Sequence, residues 1–254
     1  MDASVYRRVL AYVAILMATL LVPIGAPRAG AQAPEFIITW FLGFNTTLPP
    51  FDNVMMRRAV ASAIDRAQVA AADKNNVSVG LEPPQCLAHN ANARAHPFDV
   101  QRAKEFITQS GVNLDEFGDM GLWYISRLGR RDTGKKELEV ISANLTAAGL
   151  RIALREFGNY NALQRIATLS VVKMQYWGLL ASVDLCSRET FLEDLVHSKG
   201  DFNYFGYSNG EMDGLIARAR AATDRQTKVR LFQEAEQKIL DDAILVPLWW
   251  WKSR

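Results

Sequence analysis

The 254-residue sequence has only two cysteines and three histidines, and its basic and acidic residues nearly balance. Three of the 29 basic residues and one of the 27 acidic residues lie within positions 1–31, so residues 32–254 carry no formal net charge. A neutral chain gives no global argument for nucleic acid or an anionic membrane as a partner. The apolar fraction of 49% excludes a disordered or fibrous protein and is sufficient for a sizeable core.

Common catalytic motifs are also absent. Residues 32–254 contain no G-x-S-x-G, H-E-x-x-H, G-x-G-x-x-G or P-loop pattern. The histidines have no nucleophile or carboxylate at a suitable spacing; they are His89, His96 and His197. The adjacent acids Asp241 and Asp242 would point about 100° apart on a helix, which is typical of a solvated helix end. The sequence therefore argues against an enzyme.

Residues 1–31 have the organisation of a secretory signal peptide. Arg7 and Arg8 precede an apolar run over residues 9–21, and small residues follow up to Ala31. We expect cleavage after Ala31 and a periplasmic location for residues 32–254. The alternative is that residues 1–31 remain as an N-terminal membrane anchor.

Both cysteines, Cys86 and Cys186, lie in the part that would be exported. An oxidising compartment allows them to pair, although the sequence does not show that they meet. The alternative for Cys86 is a metal site with His89 and His96, but this spacing fits no common zinc pattern. We expect loop histidines and no metal or cofactor.

Strand and helix signals alternate along residues 32–254, which predicts an α/β fold with a mainly parallel sheet flanked by helices. The strongest signals are an apolar β-branched and aromatic strand at the start and N-cap residues before helices. The predicted strands are Phe36–Phe44, Met120–Ser126, Leu150–Phe157, Val171–Trp177 and Ile244–Trp251. The first three predicted helices are capped by Asp52 or Asn53 and run to about Ala72, capped by Asp99 and ended by Gly111, and capped by Asp132 or Thr133 and stopped by Gly149. The other predicted helices are Tyr160–Leu169, Glu189–His197, Glu211–Ala222 with Asn209 as its cap, and Gln226–Asp241 with Asp224 as its cap.

Four segments in order resemble the extracellular solute-binding protein family 5, the oligopeptide, dipeptide and nickel receptors of ABC importers. They are Phe44–Asp65, with its Pro-Pro-Phe-Asp turn; His96–Ile107; Asn203–Asp224, with its Asn-Tyr-x-x-Tyr-x-Asn pattern; and Arg230–Trp251. The resemblance covers nearly all of residues 32–254. It implies a periplasmic-binding-protein type II-like lobe that binds a ligand without chemistry.

The resemblance also implies one anionic anchor for a ligand. Asp184 follows the strand VVKMQYWGLL, where peptide-binding members of the family carry an aspartate for the ligand's α-ammonium. A carboxylate at the carboxyl end of a strand can form a strong charge-assisted bond to such a group. The surroundings depart from the family pattern, since Ala181 replaces a tryptophan and Arg188 could neutralise Asp184.

Aromatic residues supply the other ligand-binding candidates. Phe157 falls near a family cleft tryptophan, and Trp177 precedes the substituted Ala181 by four residues. Trp251 matches a ligand-facing aromatic of the family's closing strand. Because strand side chains alternate, we expect Trp249 and Trp251 on one face and Trp250 on the other, with Trp249 and Trp250 in core packing.

Family members are typically about twice as long as this chain, so the resemblance implies about one lobe of a two-lobed receptor. The expected partners are an oligopeptide or other small solute and an ABC permease. The alternative function is a secreted single-lobe interaction protein that uses the old cleft face to dock another envelope protein. Residues 32–254 form the expected lobe in either case.

Overall fold

The structure is a computed structural model that describes residues 35–125, 127–128, 131–132, 134–157, 172–182, 186 and 190–252. The strands in these ranges are β1 (Phe36–Phe44), β2 (Asn76–Val77), β3 (Met120–Ile125), β4 (Arg127–Leu128), β5 (Arg131–Asp132), β6 (Ile152–Phe157), β7 (Met174–Ser182) and β8 (Leu245–Lys252). The helices are α1 (Val54–Ala63), α2 (Arg66–Ala71), α3 (Val100–Ser110), α4 (Lys135–Ala147), α5 (Leu192–Val196), α6 (Gly210–Ala221) and α7 (Arg225–Asp241), with a 3₁₀ turn at Leu114–Glu116.

Six of these strands form one sheet in the order β2-β8-β1-β7-β3-β6. β3 pairs in parallel with β6 and β7, whereas β1 runs antiparallel to both of its neighbours, β7 and β8. The predicted α/β class with flanking helices is confirmed. The sheet is mixed rather than mainly parallel, because β1 at its centre is antiparallel to both neighbours. Alternation of strands and helices does not specify the direction of β1, because that depends on pairing between distant residues such as Phe36 and Ser182.

Helices cover both faces of the sheet. α1 to α4 pack on one face in a first core that includes Trp40 and Leu42 of β1. α5 to α7 pack on the other face in a second core that includes Phe41. The alternation of side chains along β1 therefore divides its residues between two cores, as expected for a strand buried on both faces.

The predicted helix from Asp52 to Ala72 is two helices. Asn53 caps α1 by accepting a hydrogen bond from the backbone N–H of Met55. Ile64 then adopts extended backbone angles, and the Asp65 side chain accepts hydrogen bonds from two backbone N–H groups at the start of α2. The break arises because Asp65 acts as a second N-cap inside a continuous helical pattern.

Three other predicted caps are confirmed and one is wrong. Asp99, Asn209 and Asp224 each accept a hydrogen bond from a backbone N–H in the first turn of their helices. α4 instead begins after Gly134, which has φ +85° and offers no side chain, while Asp132 lies in β5. A Cβ at position 134 would lie 2.6 Å from the Tyr176 ring, so this tight approach favours glycine.

The remaining predicted elements differ mainly at their ends. β7 begins at Met174 and extends to Ser182, past the predicted end at Trp177. The last strand closes as predicted, in β8. The predicted helix Tyr160–Leu169 lies outside the described residues.

A β-bulge in β8 determines where its tryptophans point. Trp40 pairs with Trp249, whereas the next residue, Phe41, pairs with Pro247, so Leu248 is the extra residue. Leu248 and Trp249 consequently both reach the first core, which Trp251 also contacts. Trp250 points to the other face, as predicted.

β1 and β8, the first and last described strands, are neighbours in the sheet. Ile37 lies opposite Lys252 in the sheet. The Lys252 ammonium nitrogen Nζ lies 2.7 Å from Oε2 of Glu35, just before β1. The start of β1 and the end of β8 are therefore neighbours.

Cys86 and Cys186 form a disulfide across a separation of 100 residues. Both are buried, and they pack with Ile37, Phe191 and Trp250 in a small third cluster. The backbone N–H of Leu87 donates a 2.6 Å hydrogen bond to the carbonyl of Cys186. The pairing that the sequence left open is thus formed, and Cys86 is not a metal ligand.

Candidate functional site

The carboxyl ends of four strands lie along one edge of the sheet. β3 is parallel to β6 and β7, and β8 has the same direction because β1 runs antiparallel to both β7 and β8. We call this edge, marked by Ile125, Phe157, Ser182 and Lys252, the carboxyl edge. In open α/β sheets, ligands bind outside the carboxyl ends of the strands. This edge is therefore where the predicted site residues should be found.

Phe157, one of the predicted ligand contacts, ends β6 at this edge. Its side chain is only 6% exposed and belongs to the second core. Its ring stacks on Trp123 of β3, with the ring centroids 4.6 Å apart and the planes 25° apart. Trp123 is half-buried, so the stack joins the core to the more exposed part of this edge.

The C-terminal tryptophans have different environments. Trp249 is buried in the first core, and Trp250 packs against the disulfide cluster. Trp251 packs on the rim of the first core and remains partly exposed near the carboxyl edge. Core packing of Trp249 is confirmed, and Trp251 keeps an accessible aromatic surface.

The other two predicted ligand contacts are Trp177 and Asp184. Trp177 is in β7 opposite Phe41, and its side chain is outside the described residues. Asp184 also lies outside them, between the end of β7 and Cys186. Of the four predicted ligand contacts, the structure therefore describes the side chains of Phe157 and Trp251. These two side chains pack on opposite faces of the sheet, Phe157 in the second core and Trp251 against the first.

A buried ring stack lies behind Trp251 and was not anticipated from the sequence. Trp40 stacks on Tyr176 and on Trp249, with centroid distances of 4.7 and 5.4 Å. The Trp249 indole donates a 3.0 Å hydrogen bond to the Tyr176 hydroxyl. Burial raises the pKa of Tyr176 well above 10.0, and Glu137 contributes to the rise. The stack therefore joins β1, β7 and β8 through their side chains.

A long loop crosses the face of the sheet that carries the second core. Side chains of α7 form hydrogen bonds with the backbone of this loop. We call residues 78–94 the strap. The Gln233 side-chain amide donates a 2.7 Å hydrogen bond to the carbonyl of His89, and Gln237 exchanges two 2.9 Å hydrogen bonds with the backbone of Arg94. Glu236, between them, accepts from the backbone N–H groups of Leu81 and Glu82.

Glu82 extends this network to a third segment. Its carboxylate accepts hydrogen bonds from the Thr190 hydroxyl and from the backbone N–H of Phe191. Neither Glu82 nor Glu236 was identified from the sequence. One signal was present for Glu236, since it occupies an inward position of α7 between Phe232 and Ile239, where an apolar residue would be expected.

A pocket of about 330 Å³ opens between the strap and the end of β8. Its walls include Val77, Val79, Glu82, His89 and Trp250. Val77 and Val79 are each 47% exposed. Polar side chains also line the pocket, among them Ser78 and Asn90, but its lining residues include neither lysine nor arginine.

Two of the histidines contact backbone carbonyl oxygens. His89 Nδ1 lies 2.7 Å from the carbonyl oxygen of Glu82, and His96 Nε2 lies 3.2 Å from that of Asp241. Within the described ranges, no group of three histidine, cysteine, aspartate or glutamate side chains is arranged to hold a metal ion. The described helices are also too short or too polar for any of them to cross a bilayer.

Comparison with protein families gives one match over most of the chain. The model for bacterial extracellular solute-binding proteins, family 5 Middle, matches residues 24–200. Among curated proteins, the glutathione-binding protein GsiB of Salmonella choleraesuis is 29% identical, with 85% of this chain and 43% of that protein covered. Heme-binding protein A of Haemophilus influenzae is 23% identical, with coverages of 82% and 38%. The chain thus spans about two fifths of the length of these relatives.

Solved structures share the fold. The periplasmic binding protein DppA from Helicobacter pylori, in complex with the peptide STSA, has a TM-score of 0.73 and 22% sequence identity. The similarity covers 85% of this chain and 42% of that protein. The expected type II-like binding-protein architecture is confirmed by this agreement.

Proposed function

Because the chain belongs to the bacterial extracellular solute-binding proteins of family 5, we propose that it captures a short peptide or related small solute for an ABC importer. Family members bind ligands rather than transform them, and the proposed function requires no chemical step. The names of its relatives, which include glutathione-binding and di/tripeptide-binding proteins, favour a peptide-like ligand.

The ligand would bind along the carboxyl edge. The observation that carries this proposal is that β3, β6, β7 and β8 share one direction and end at this edge, where Trp251 is partly exposed and the buried Phe157 ends β6. Aromatic walls provide rigid apolar surface for varied side chains, while a few polar groups orient the ligand. Asp184, which lies two residues after the end of β7 in the sequence, would supply the carboxylate for an ammonium group, and Trp177 would supply a further aromatic wall.

Export to the periplasm fits the same proposal. Residues 1–31 have the pattern of a signal peptide, and the Cys86–Cys186 disulfide is typical of an oxidising compartment. Residues 32–254 would then form the solute-binding lobe. Its partner would be the permease of an importer, which takes the solute from the loaded protein.

Calorimetry of the chain purified from the periplasm tests the proposal directly. The ligands are pools of dipeptides and tripeptides and, separately, glutathione. We expect saturable binding that Asp184→Asn weakens by at least tenfold, because a charge-assisted bond is lost. Asp201→Asn, at an exposed carboxylate between α5 and α6, is the matched control and should bind like the wild type.

One result would contradict this function, and another would contradict only the proposed role of Asp184. The first is the absence of heat from every pool at millimolar peptide. The second is binding that Asp184→Asn and Asp201→Asn leave equally unchanged, which would move the ammonium contact away from Asp184.

A further inference from the structure

Two buried glutamates connect three segments that are far apart in the sequence. Glu236 of α7 is 0% exposed, and its Oε1 accepts hydrogen bonds of 2.6 and 3.2 Å from the N–H groups of Leu81 and Glu82. Glu82 of the strap is 2% exposed, and its Oε1 accepts bonds of 2.5 and 3.2 Å from Thr190 Oγ1 and Phe191 N. The two carboxyl groups thus lie in series between α7, the strap and the start of α5.

In the described part of the chain, each glutamate has one carboxyl oxygen without a hydrogen-bond partner. The Oε2 atoms of Glu82 and Glu236 are both buried, and neither has a hydrogen bond within the part of the chain that the structure describes. A buried carboxylate without a counter-charge is strongly disfavoured, and two such carboxylates close together are more so. A proton on one of them removes a negative charge and supplies a donor.

Within the part of the chain that the structure describes, neither carboxyl has a compensating cation. No lysine or arginine among the described residues affects the pKa of either carboxyl. On the strap, His89 faces the carbonyl oxygen of Glu82 rather than its carboxylate. On α7, the adjacent contacts to the strap come from the neutral side chains of Gln233 and Gln237.

Burial is the main cause that raises the pKa of Glu82 and of Glu236, each from 4.5 to about 7. The charge of Glu236 raises the pKa of Glu82 further, while the hydrogen bonds to Thr190 and Phe191 oppose the rise. Because the charge of Glu236 affects the pKa of Glu82, the two carboxyl groups do not titrate independently.

We propose that Glu82 and Glu236 form a proton-dependent clasp, which joins α7, the strap and the Thr190–Phe191 segment while the pair holds a proton and loosens when both groups ionise. The Cys86–Cys186 disulfide crosslinks the strap to the chain just before Thr190 and limits the loosening to local motion. Opening would separate the strap backbone from Glu236 without unfolding the sheet. This device does not depend on which ligand the protein binds.

The direction of the pH effect follows from proton linkage. Below about pH 4.5 these carboxyls are protonated in the folded and the unfolded chain, so their contribution is fully present. Between pH 4.5 and about 7 the unfolded chain loses these protons first, so stability decreases as the pH rises. Above about 7 the folded pair is ionised as well, and the clasp is at its weakest.

The test combines urea unfolding with amide hydrogen exchange from pH 5 to pH 8. Glu82→Gln and Glu236→Gln keep the size of the side chain and mimic the protonated form. Glu234→Gln, at an exposed position of the same helix, is the matched control. The slope of the unfolding free energy against pH gives the number of protons released on unfolding. At pH 6 we expect Glu236→Gln to release about one proton fewer than the wild type and Glu234→Gln.

Amide exchange locates the effect within the protein. In the wild type, protection of the Leu81, Glu82 and Phe191 amides should fall by at least tenfold between pH 5.5 and pH 8, after correction for intrinsic exchange rates. Glu236→Gln should abolish most of that loss at Leu81 and Glu82, while strand amides in β1 remain protected.

Equal pH dependence of stability in the wild type and both glutamine variants would overturn the proposal. Unchanged protection of these amides in the wild type across the same pH range would also overturn it. This second readout needs no variant, so the proposal remains testable even if a substitution prevents folding.

Discussion

The indole nitrogen Nε1 of Trp249 donates a hydrogen bond of 3.0 Å to the hydroxyl of Tyr176, inside the ring stack that both residues form with Trp40. The three residues come from β8, β7 and β1, so the stack joins the central strands of the sheet. Trp249, which supplies the donor, is 6% exposed, and Tyr176 is 1% exposed. The bond therefore satisfies a donor that water cannot reach.

Tyr176→Phe removes the acceptor of this bond and leaves the Trp249 indole N–H buried without a partner. We expect the free energy of unfolding to fall by about 1–3 kcal/mol. Tyr207→Phe is the matched control, because the buried Tyr207 hydroxyl has no hydrogen bond to any described residue. Urea unfolding of both variants should show a clear loss only for Tyr176→Phe, and equal losses would contradict this account.

Gly178→Ala tests the packing of the same stack. A Cβ at position 178 would lie 2.7 Å from an atom of the Trp40 ring, which cannot move away because Tyr176 and Trp249 hold it. We expect a loss of about 1–3 kcal/mol in thermal or denaturant unfolding. Gly214→Ala, in α6 with open space around it, should instead stabilise the protein by roughly 0.5–1 kcal/mol.

Removing the disulfide should have a large effect on stability. A crosslink between residues 100 positions apart stabilises the folded chain by about 4–5 kcal/mol on a chain-entropy model. Cys86→Ser, Cys186→Ser and the double variant should lose similar amounts in urea unfolding. Adding a reductant to the unfolding wild type should reproduce that loss, and a wild type insensitive to reductant would contradict the prediction.

Arg66→Lys probes a buried cation that joins α2 to two other segments. The Arg66 guanidinium donates 2.8 Å hydrogen bonds to the carbonyls of Pro247 and His96. Burial lowers its pKa to about 10, so it stays charged at neutral pH. A lysine has no planar fork to reach both carbonyls, and we expect a loss of about 1–3 kcal/mol in unfolding. Arg58→Lys, at a more exposed position, should change stability much less.

Trp251→Ala and Trp250→Ala should separate ligand binding from stability. Trp251 presents a partly exposed ring near the carboxyl edge, so its removal should weaken peptide binding about tenfold or more. Trp250 packs against Cys86 and Cys186, and its removal should mainly lower the unfolding midpoint. Calorimetry and thermal unfolding of both variants test this, and the reverse pattern would exclude Trp251 as a ligand contact.

Local features of the fold were predictable from the sequence. Asp99, Asn209 and Asp224 were identified as caps because a cap depends on a side chain and a backbone amide only two or three residues away. Asp65 was missed because its cap interrupts an apolar pattern that continues through Ile64. Gly134 was missed because a left-handed glycine leaves no side-chain signal at a helix start.

Features that depend on residues far apart in the chain were harder to predict from the sequence. The antiparallel direction of β1 follows from pairing with β7 and β8, which lie more than half the chain away. The inward position of Glu236 is visible in the helical pattern of α7, but its partner Glu82 lies in a loop without periodicity. Phe157 and Trp251 were proposed from resemblance, and their different depths of burial depend on neighbours such as Trp123 that no local pattern indicates.

The proximity of Glu35 and Lys252 has a mechanical consequence. β1 starts and β8 ends at the same side of the sheet, so a force pulling these two points apart acts across the strands rather than along them. Such a load opens the ladder between β1 and β8 one hydrogen bond at a time, like a zipper, instead of shearing all the bonds together. The sheet should therefore yield at low tension when pulled at this point and resist strongly when pulled along β7.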